Sequence, residues 1–244
     1  MKTNKIAQLA LLAIAWFLLI CPLTPSVEAE SAEAGSSVAG TVKFQGTPPK
    51  GTRMEMSADP NCTKAHPGPV ITQDIEVSAA GGLEDVVVYV SDGFGDKAFP
   101  PPSQPMVLEQ KGCSYRPHVV ALQANQKLEV VNADTTTHNI HPMPVNNREW
   151  NKIQPPGMPV EESFAREEIA IPVKCNVHPW MKGYVAVFKH PYFAVTDKNG
   201  NFTLKDLPPG NYTIKAWHEK LGTQSQMVTV AAGQSGKIDF IFRQ

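Results

Sequence analysis

Cys175, His178 and Met181 fall within the stretch Cys175-Asn176-Val177-His178-Pro179-Trp180-Met181. His138 lies well upstream in Thr137-His138-Asn139-Ile140-His141. Taken singly, Cys175 reads as a buried thiol, His178 as a capping residue and Met181 as core. Jointly they read otherwise, because an unpaired thiol in an oxidising compartment calls for a chemical reason. A thiolate, two imidazoles and a thioether suit copper. Two His and one Cys in a plane, with a distant Met, compromise between the geometries that Cu(I) and Cu(II) prefer. Cys175 would supply most of the covalency and Met181 the weak axial bond that tunes the potential. His178, in the short loop, would face solvent and pass the electron.

Such a loop needs rigid strands on either side, and the chain offers them. Twenty-two prolines and 17 glycines punctuate short apolar runs, and no stretch has helical periodicity, so the fold is expected to be all-β. Strands are expected at Val38–Phe44, Val86–Val90, His118–Leu122, Lys127–Val131, Ile169–Val173, Tyr184–Phe188, Thr213–Trp217, Met227–Val230 and Ile238–Phe242. Ile169, Ile171 and Val173 alternate with Glu168, Ala170 and Pro172 and lead straight into Cys175. Residues 51–82 are weakly patterned and read as loop-rich, and Phe94–Pro105 as a Gly- and Pro-rich connector.

Cys-x2-His-x2-Met, with Pro after the His and Trp before the Met, resembles the ligand loop of amicyanin among the plastocyanin-like cupredoxins. The His138–His141 segment is similar to the same family. The resemblance covers about residues 106–190 and implies a Greek-key β-sandwich holding one type 1 copper on His138, Cys175, His178 and Met181. It implies that Asn139 braces the ligand loop, with Pro179 and Trp180 stiffening it and forming an apolar rim. A long insert, Pro144–Glu162, departs from the family pattern. The tail, with Asp197-Lys198-Asn199-Gly200 and Leu207-Pro208-Pro209-Gly210, resembles the carboxypeptidase regulatory-like domain, a small transthyretin-like sandwich. Gly40–Gly46 is similar to that family's opening strand. Residues 38–105 and 191–244 would then form one discontinuous sandwich with the cupredoxin at 106–190 inserted, unless the tail packs on the cupredoxin alone.

Lys2 and Lys5 ahead of an apolar run from Ile6 to Ile20, then Val27-Glu28-Ala29, describe a secretory signal over residues 1–29, followed by a flexible leader over 30–37. An uncleaved anchor, or a lipoprotein start at Leu18-Leu19-Ile20-Cys21, is the alternative, with Ile20 too bulky for the latter. The expected location is periplasmic or extracellular, with no membrane span once the signal is removed. In that compartment Cys62 and Cys113 read as a disulfide. Cys62, His66, Cys113 and His118 would alternatively make a tetrahedral zinc or second copper site. His141, His190 and His218 read as structural. A formal net charge of −1 offers no basic footprint for nucleic acid. The sequence therefore points to a non-enzymatic electron carrier serving redox protein partners. Copper storage or delivery, and a carbohydrate-binding or adhesion module built on the flanking sandwich, are the competing classes.

Overall fold

The computed structural model describes residues 36–244, so the signal at 1–29 and most of the leader lie outside the described residues. β1 (Ser36–Gln45) is followed by a single short helix, α1 (Pro60–Lys64), and by β2 (Val87–Asp92). Next come β3 (Met106–Gln110), β4 (Tyr115–Arg116), β5 (Val119–Gln123), β6 (Lys127–Asn132) and β7 (His138–Pro142). β8 (Lys152–Gln154), β9 (Val160–Ser163), β10 (Glu168–Lys174) and β11 (Lys182–Phe188) complete this middle run. The last strands are β12 (Phe193–Val195), β13 (Asn201–Leu207), β14 (Gly210–His218), β15 (Gly222–Val230), β16 (Gly236–Lys237) and β17 (Phe240–Arg243). Among the described residues no helix is long and apolar enough to cross a membrane.

The middle strands make two facing sheets, ordered β5-β11-β10-β7-β8 and β4-β3-β6-β9. The insert between His138 and Cys175 supplies β8 and β9, one edge strand to each sheet. Alternate residues point inward: Val120 and Leu122 of β5, Ile171 and Val173 of β10, and Val185 and Val187 of β11 share one core with Leu128, Val130 and Ile140. Full burial of each such side chain stabilises the fold by roughly 1.5–3 kcal/mol. That core also takes in Met56 and Cys62 from the loop-rich segment, so residues 51–82 do carry buried anchors, and those anchors pack against the middle strands.

The chain's two ends build the other sandwich. β1 lies between β13 and the parallel β16 and β17, and β2 lies between β12 and β14, with β15 beyond. The Asp197–Gly200 turn registers β13 against β1. The Asp197 carboxylate accepts from the backbone N–H groups of Asn199 and Asn201, at 2.8 and 2.9 Å. Gly200 has φ +77°, and a Cβ there would sit 2.2 Å from the Val42 carbonyl oxygen, so no other residue fits.

The two sandwiches meet through residues that point away from both cores. Val119, Ala121, Ala186 and Phe188 pack against Val87 and Tyr89, with Phe193, Val195 and Trp217 at the margin. Phe188 stacks on Phe193 at 4.6 Å between ring centroids. This seam is apolar and fully packed, which makes it a third core and not a linker.

Candidate metal centre

β10 hydrogen-bonds to β7 on one side and β11 on the other, so the chain leaves β10 at Cys175 next to β7 and returns into β11 at Lys182, opposite Lys174. Two backbone bonds close the loop between: Met181 N–H donates to the His178 carbonyl at 2.9 Å, and Cys175 N–H to the Met181 carbonyl at 3.3 Å. Asn139, next to His138, ties this loop to β7. Its backbone N–H donates to the Cys175 sulfur at 3.4 Å, and its side-chain oxygen accepts from Asn176 N–H. The Asn139 amide nitrogen donates in turn to Asn151 at 2.6 Å.

This folding brings His138, Cys175 and His178 together, their ligand atoms all within 4.8 Å of one another. Met181 closes the same loop. All four are buried: His138 is 0% exposed, Cys175 1%, His178 2% and Met181 1%. The two Nδ1 atoms lie 2.9 Å apart, and the thiol sulfur is 3.7 Å from His178 Nδ1. The outer nitrogens are committed elsewhere. His138 Nε2 is 2.9 Å from the Asp134 carboxylate, and His178 Nε2 is 3.1 Å from that of Asp59. Donation of each Nε2–H to a carboxylate leaves both Nδ1 lone pairs converging on the sulfur. Lone pairs this close repel unless a proton or a metal cation lies between them.

The electrostatics favour positive charge at that point. Burial pulls the His138 imidazole down, but the Asp134 carboxylate and the Cys175 sulfur outweigh it and raise its pKa to about 9. Burial pushes the Cys175 thiol up. Hydrogen bonding from His138 and from the Asn139 backbone N–H reverses this and lowers it, favouring thiolate. The Asp59 carboxyl is held down at about 2, chiefly by a 2.7 Å hydrogen bond from the Thr136 hydroxyl. Two carboxylates and an acidified thiol around two imidazoles form a nest for a cation, and the donor set of two nitrogens and a soft sulfur fits copper.

Asp59 and Asp134, which hold the two imidazoles, are residues that the sequence reading passes over. Asp59 is the N-cap of α1: one carboxylate oxygen accepts from Asn61 N–H at 2.8 Å and the other takes His178 and Thr136. Asp-Pro before a short polar run is an N-cap with Pro at the first helical position, the one local signal that could have found it. Asp134 accepts from the backbone N–H groups of Gly112 and Cys113, at 2.7 and 2.8 Å, besides bonding His138.

The structure corrects one expectation outright. His178 is not the solvent-facing ligand, because α1 lies over it and Asp59 occupies the nitrogen that would have faced water. Cys62 and Cys113 form a disulfide that pins α1 in this position. The alternative four-residue metal site does not assemble. His66 bonds the Gly112 carbonyl at 2.7 Å, and His118 pairs with Glu219 at 2.5 Å across the seam. Trp180 turns inward, its indole N–H donating to the Cys113 carbonyl at 3.2 Å and its ring against His178, while Pro179 remains exposed. His141 lies outside the cage, bonded to Glu149 and Asn176.

Residues 184–243 match the family model of the carboxypeptidase regulatory-like domain. The tail carries that domain. The match begins in β11, which hydrogen-bonds into the sheet of the other sandwich. No curated protein matches the chain. Among solved structures it is similar to a copper-containing nitrite reductase from Thermus scotoductus SA-01, with 22% identity over 41% of this chain and 25% of that one, TM-score 0.33. It is similar to a purple cupredoxin from Nitrosopumilus maritimus, with 27% identity over 30% of this chain and 80% of that one, TM-score 0.27. Amicyanin from Paracoccus versutus shares 18% identity over 41% of this chain and 96% of its own length, TM-score 0.31. The chain thus spans a quarter of the nitrite reductase. The fold is all-β: the middle strands make a two-sheet sandwich, joined to a second sandwich whose tail matches the carboxypeptidase regulatory-like domain.

Proposed function

We propose that the protein binds one type 1 copper ion through His138, Cys175, His178 and Met181 and carries single electrons between redox protein partners outside the cytoplasm. The observation that carries this reading is the convergence of both Nδ1 atoms on a buried thiol sulfur, with each Nε2 anchored to a carboxylate. When bound, copper supplies a one-electron couple. The chain's own residues do the rest. Asn139 holds the two ligand segments in register, and Asp59 and Asp134 hold the rings. The packed core limits the rearrangement that a change of oxidation state would otherwise require.

Burial of the whole donor set speaks for an electron carrier over storage or delivery, which needs ligands that exchange. A closed cage also leaves no position for a substrate, so the protein is read as no enzyme. Export is supported by the basic and apolar start of the chain and by the Cys62–Cys113 disulfide, a bond that persists in oxidising compartments. The test is an optical titration with Cu(II). One equivalent should give an intense visible thiolate-to-copper band that Cys175→Ser abolishes and a one-electron reductant bleaches reversibly. A colourless Cu(II) complex, or colour that survives the Cys175 change, rejects the site.

A further inference from the structure

With the His178 edge closed by Asp59, the cage needs another face on which a partner can approach it. An apolar groove of about 540 Å³ runs along the outer surface of β10 and β11 and has Cys175 in its wall. Strand alternation builds it. Ile171, Val173 and Val185 point into the core, so Pro172 and Lys174 point outward, opposite Tyr184 and Lys182 respectively. Met143 and Pro179 close its sides, and no carboxylate lines it.

Lys174 and Lys182 are direct cross-strand partners. Like charges in that relation destabilise a sheet. Neither ammonium group has a carboxylate at ion-pair distance among the described residues; Asp74, on the side of Lys182 away from the groove, is the carboxylate that feels the Lys182 charge. An unfavourable pair set at the mouth of an apolar groove, beside the Cys175 sulfur, is a surface shaped for an anionic visitor. At its far end Tyr184 meets Trp217 of the flanking sandwich at 5.4 Å, so the visitor would find a firm wall there.

We propose that this groove is the docking face for an acidic one-electron redox protein, whose carboxylates seat between Lys174 and Lys182. The proposal rests on the electron-carrier reading. One electron passes between the partner's redox centre and the Cys175-bound metal; one centre is oxidised, the other reduced, and no bond or proton changes place. Charge complementarity at the rim sets the encounter rate and its salt dependence, while the apolar floor supplies a brief contact.

The probe is hexacyanochromate(III), a redox-inert paramagnetic trianion, titrated at low ionic strength into isotope-labelled Cu(I)-loaded protein. Amide resonances of residues 173–176 and 182–184 should broaden first. In a Lys174→Gln, Lys182→Gln variant that broadening should fall several-fold, with the rest of the spectrum unchanged. Broadening centred elsewhere, or undiminished in the variant, overturns the docking face. So does self-association of the protein through residues 172–184, which would make the occupant a second copy. If the protein takes up no copper, the same titration on metal-free protein still reads the groove, so failure of the metal site and failure of the docking face are separately visible.

Discussion

The Asp59 carboxylate reaches His178 Nε2 at 3.1 Å from a position 119 residues earlier in the chain. One side chain therefore caps α1, accepts from Thr136 and fixes the orientation of the His178 ring. Hydrogen-bonded carboxylates behind ligating imidazoles raise their basicity, and their loss commonly weakens metal binding by about 10–100-fold. Asp59→Asn keeps the shape and the helix cap and removes the charge. It should retain the visible band, lower Cu(II) affinity by roughly tenfold and raise the reduction potential, as measured by chelator competition and redox titration. Unchanged affinity and potential would mean that Asp59 only packs.

Met181→Leu is nearly volume-conserving at a position 1% exposed, so the fold should lose less than about 1.5 kcal/mol. A weak thioether donor stabilises Cu(II) more than Cu(I), so its removal should raise the potential while the colour persists. A variant with the parent's potential would place Met181 outside the metal's reach.

The Cys62–Cys113 bond closes a loop across a sequence separation of 51 and holds α1 over His178. In the chain-entropy model, closure on this scale stabilises the fold by roughly 4 kcal/mol. Cys62→Ala, paired with Cys113→Ala to avoid a stray thiol, should lower the melting temperature and keep the visible band. Its potential should shift in the same direction as that of Asp59→Asn, since both free His178 Nε2. Opposite shifts would separate the disulfide from the ring anchor.

Legibility in the sequence tracks how local the determinant is. β10 is legible from Ile171 to Lys174, where inward residues alternate with outward ones into Cys175. A register shift between Glu168 and Ile171 turns Ile169 to the seam and breaks the expected Ile169–Ile171–Val173 face. β11 is legible as an apolar run because its two faces enter the core and the seam in turn. β14 is legible by alternation, burying every second residue from Tyr212 to His218. β8 and β9, of three and four residues, are too short to show a period, so no strand is expected in the Pro144–Glu162 insert, which supplies an edge strand to each sheet. β3 escapes because it buries Gln110, a polar residue at a core position. The burial of His178 escapes for a different reason. Nothing near residue 178 encodes it; it depends on where a five-residue helix is pinned by a distant disulfide.

His218 supplies a pH test remote from the cage. It ends β14, is 2% exposed, and accepts a hydrogen bond on Nδ1 from the Lys220 backbone N–H at 3.2 Å. Burial drives its pKa down to about 4; Glu219 opposes this, and the nearby His118 and Lys220 add to it. The folded state thus holds a neutral ring that the unfolded chain protonates near pH 6.5. Stability from this group is full above that value and is lost as pH falls toward 4, by about 3 kcal/mol in all. Glu84 and Asp85, raised mainly by burial to about 7 and 6, have the opposite slope, so the total curve masks the effect. The difference between metal-free wild type and His218→Asn isolates it, since the asparagine oxygen can replace Nδ1 as acceptor. Urea midpoints across this range should show the wild type losing roughly 3 kcal/mol relative to the variant between pH 7 and pH 4. A difference that stays flat with pH would show that His218 protonates as readily in the folded protein as in the unfolded chain.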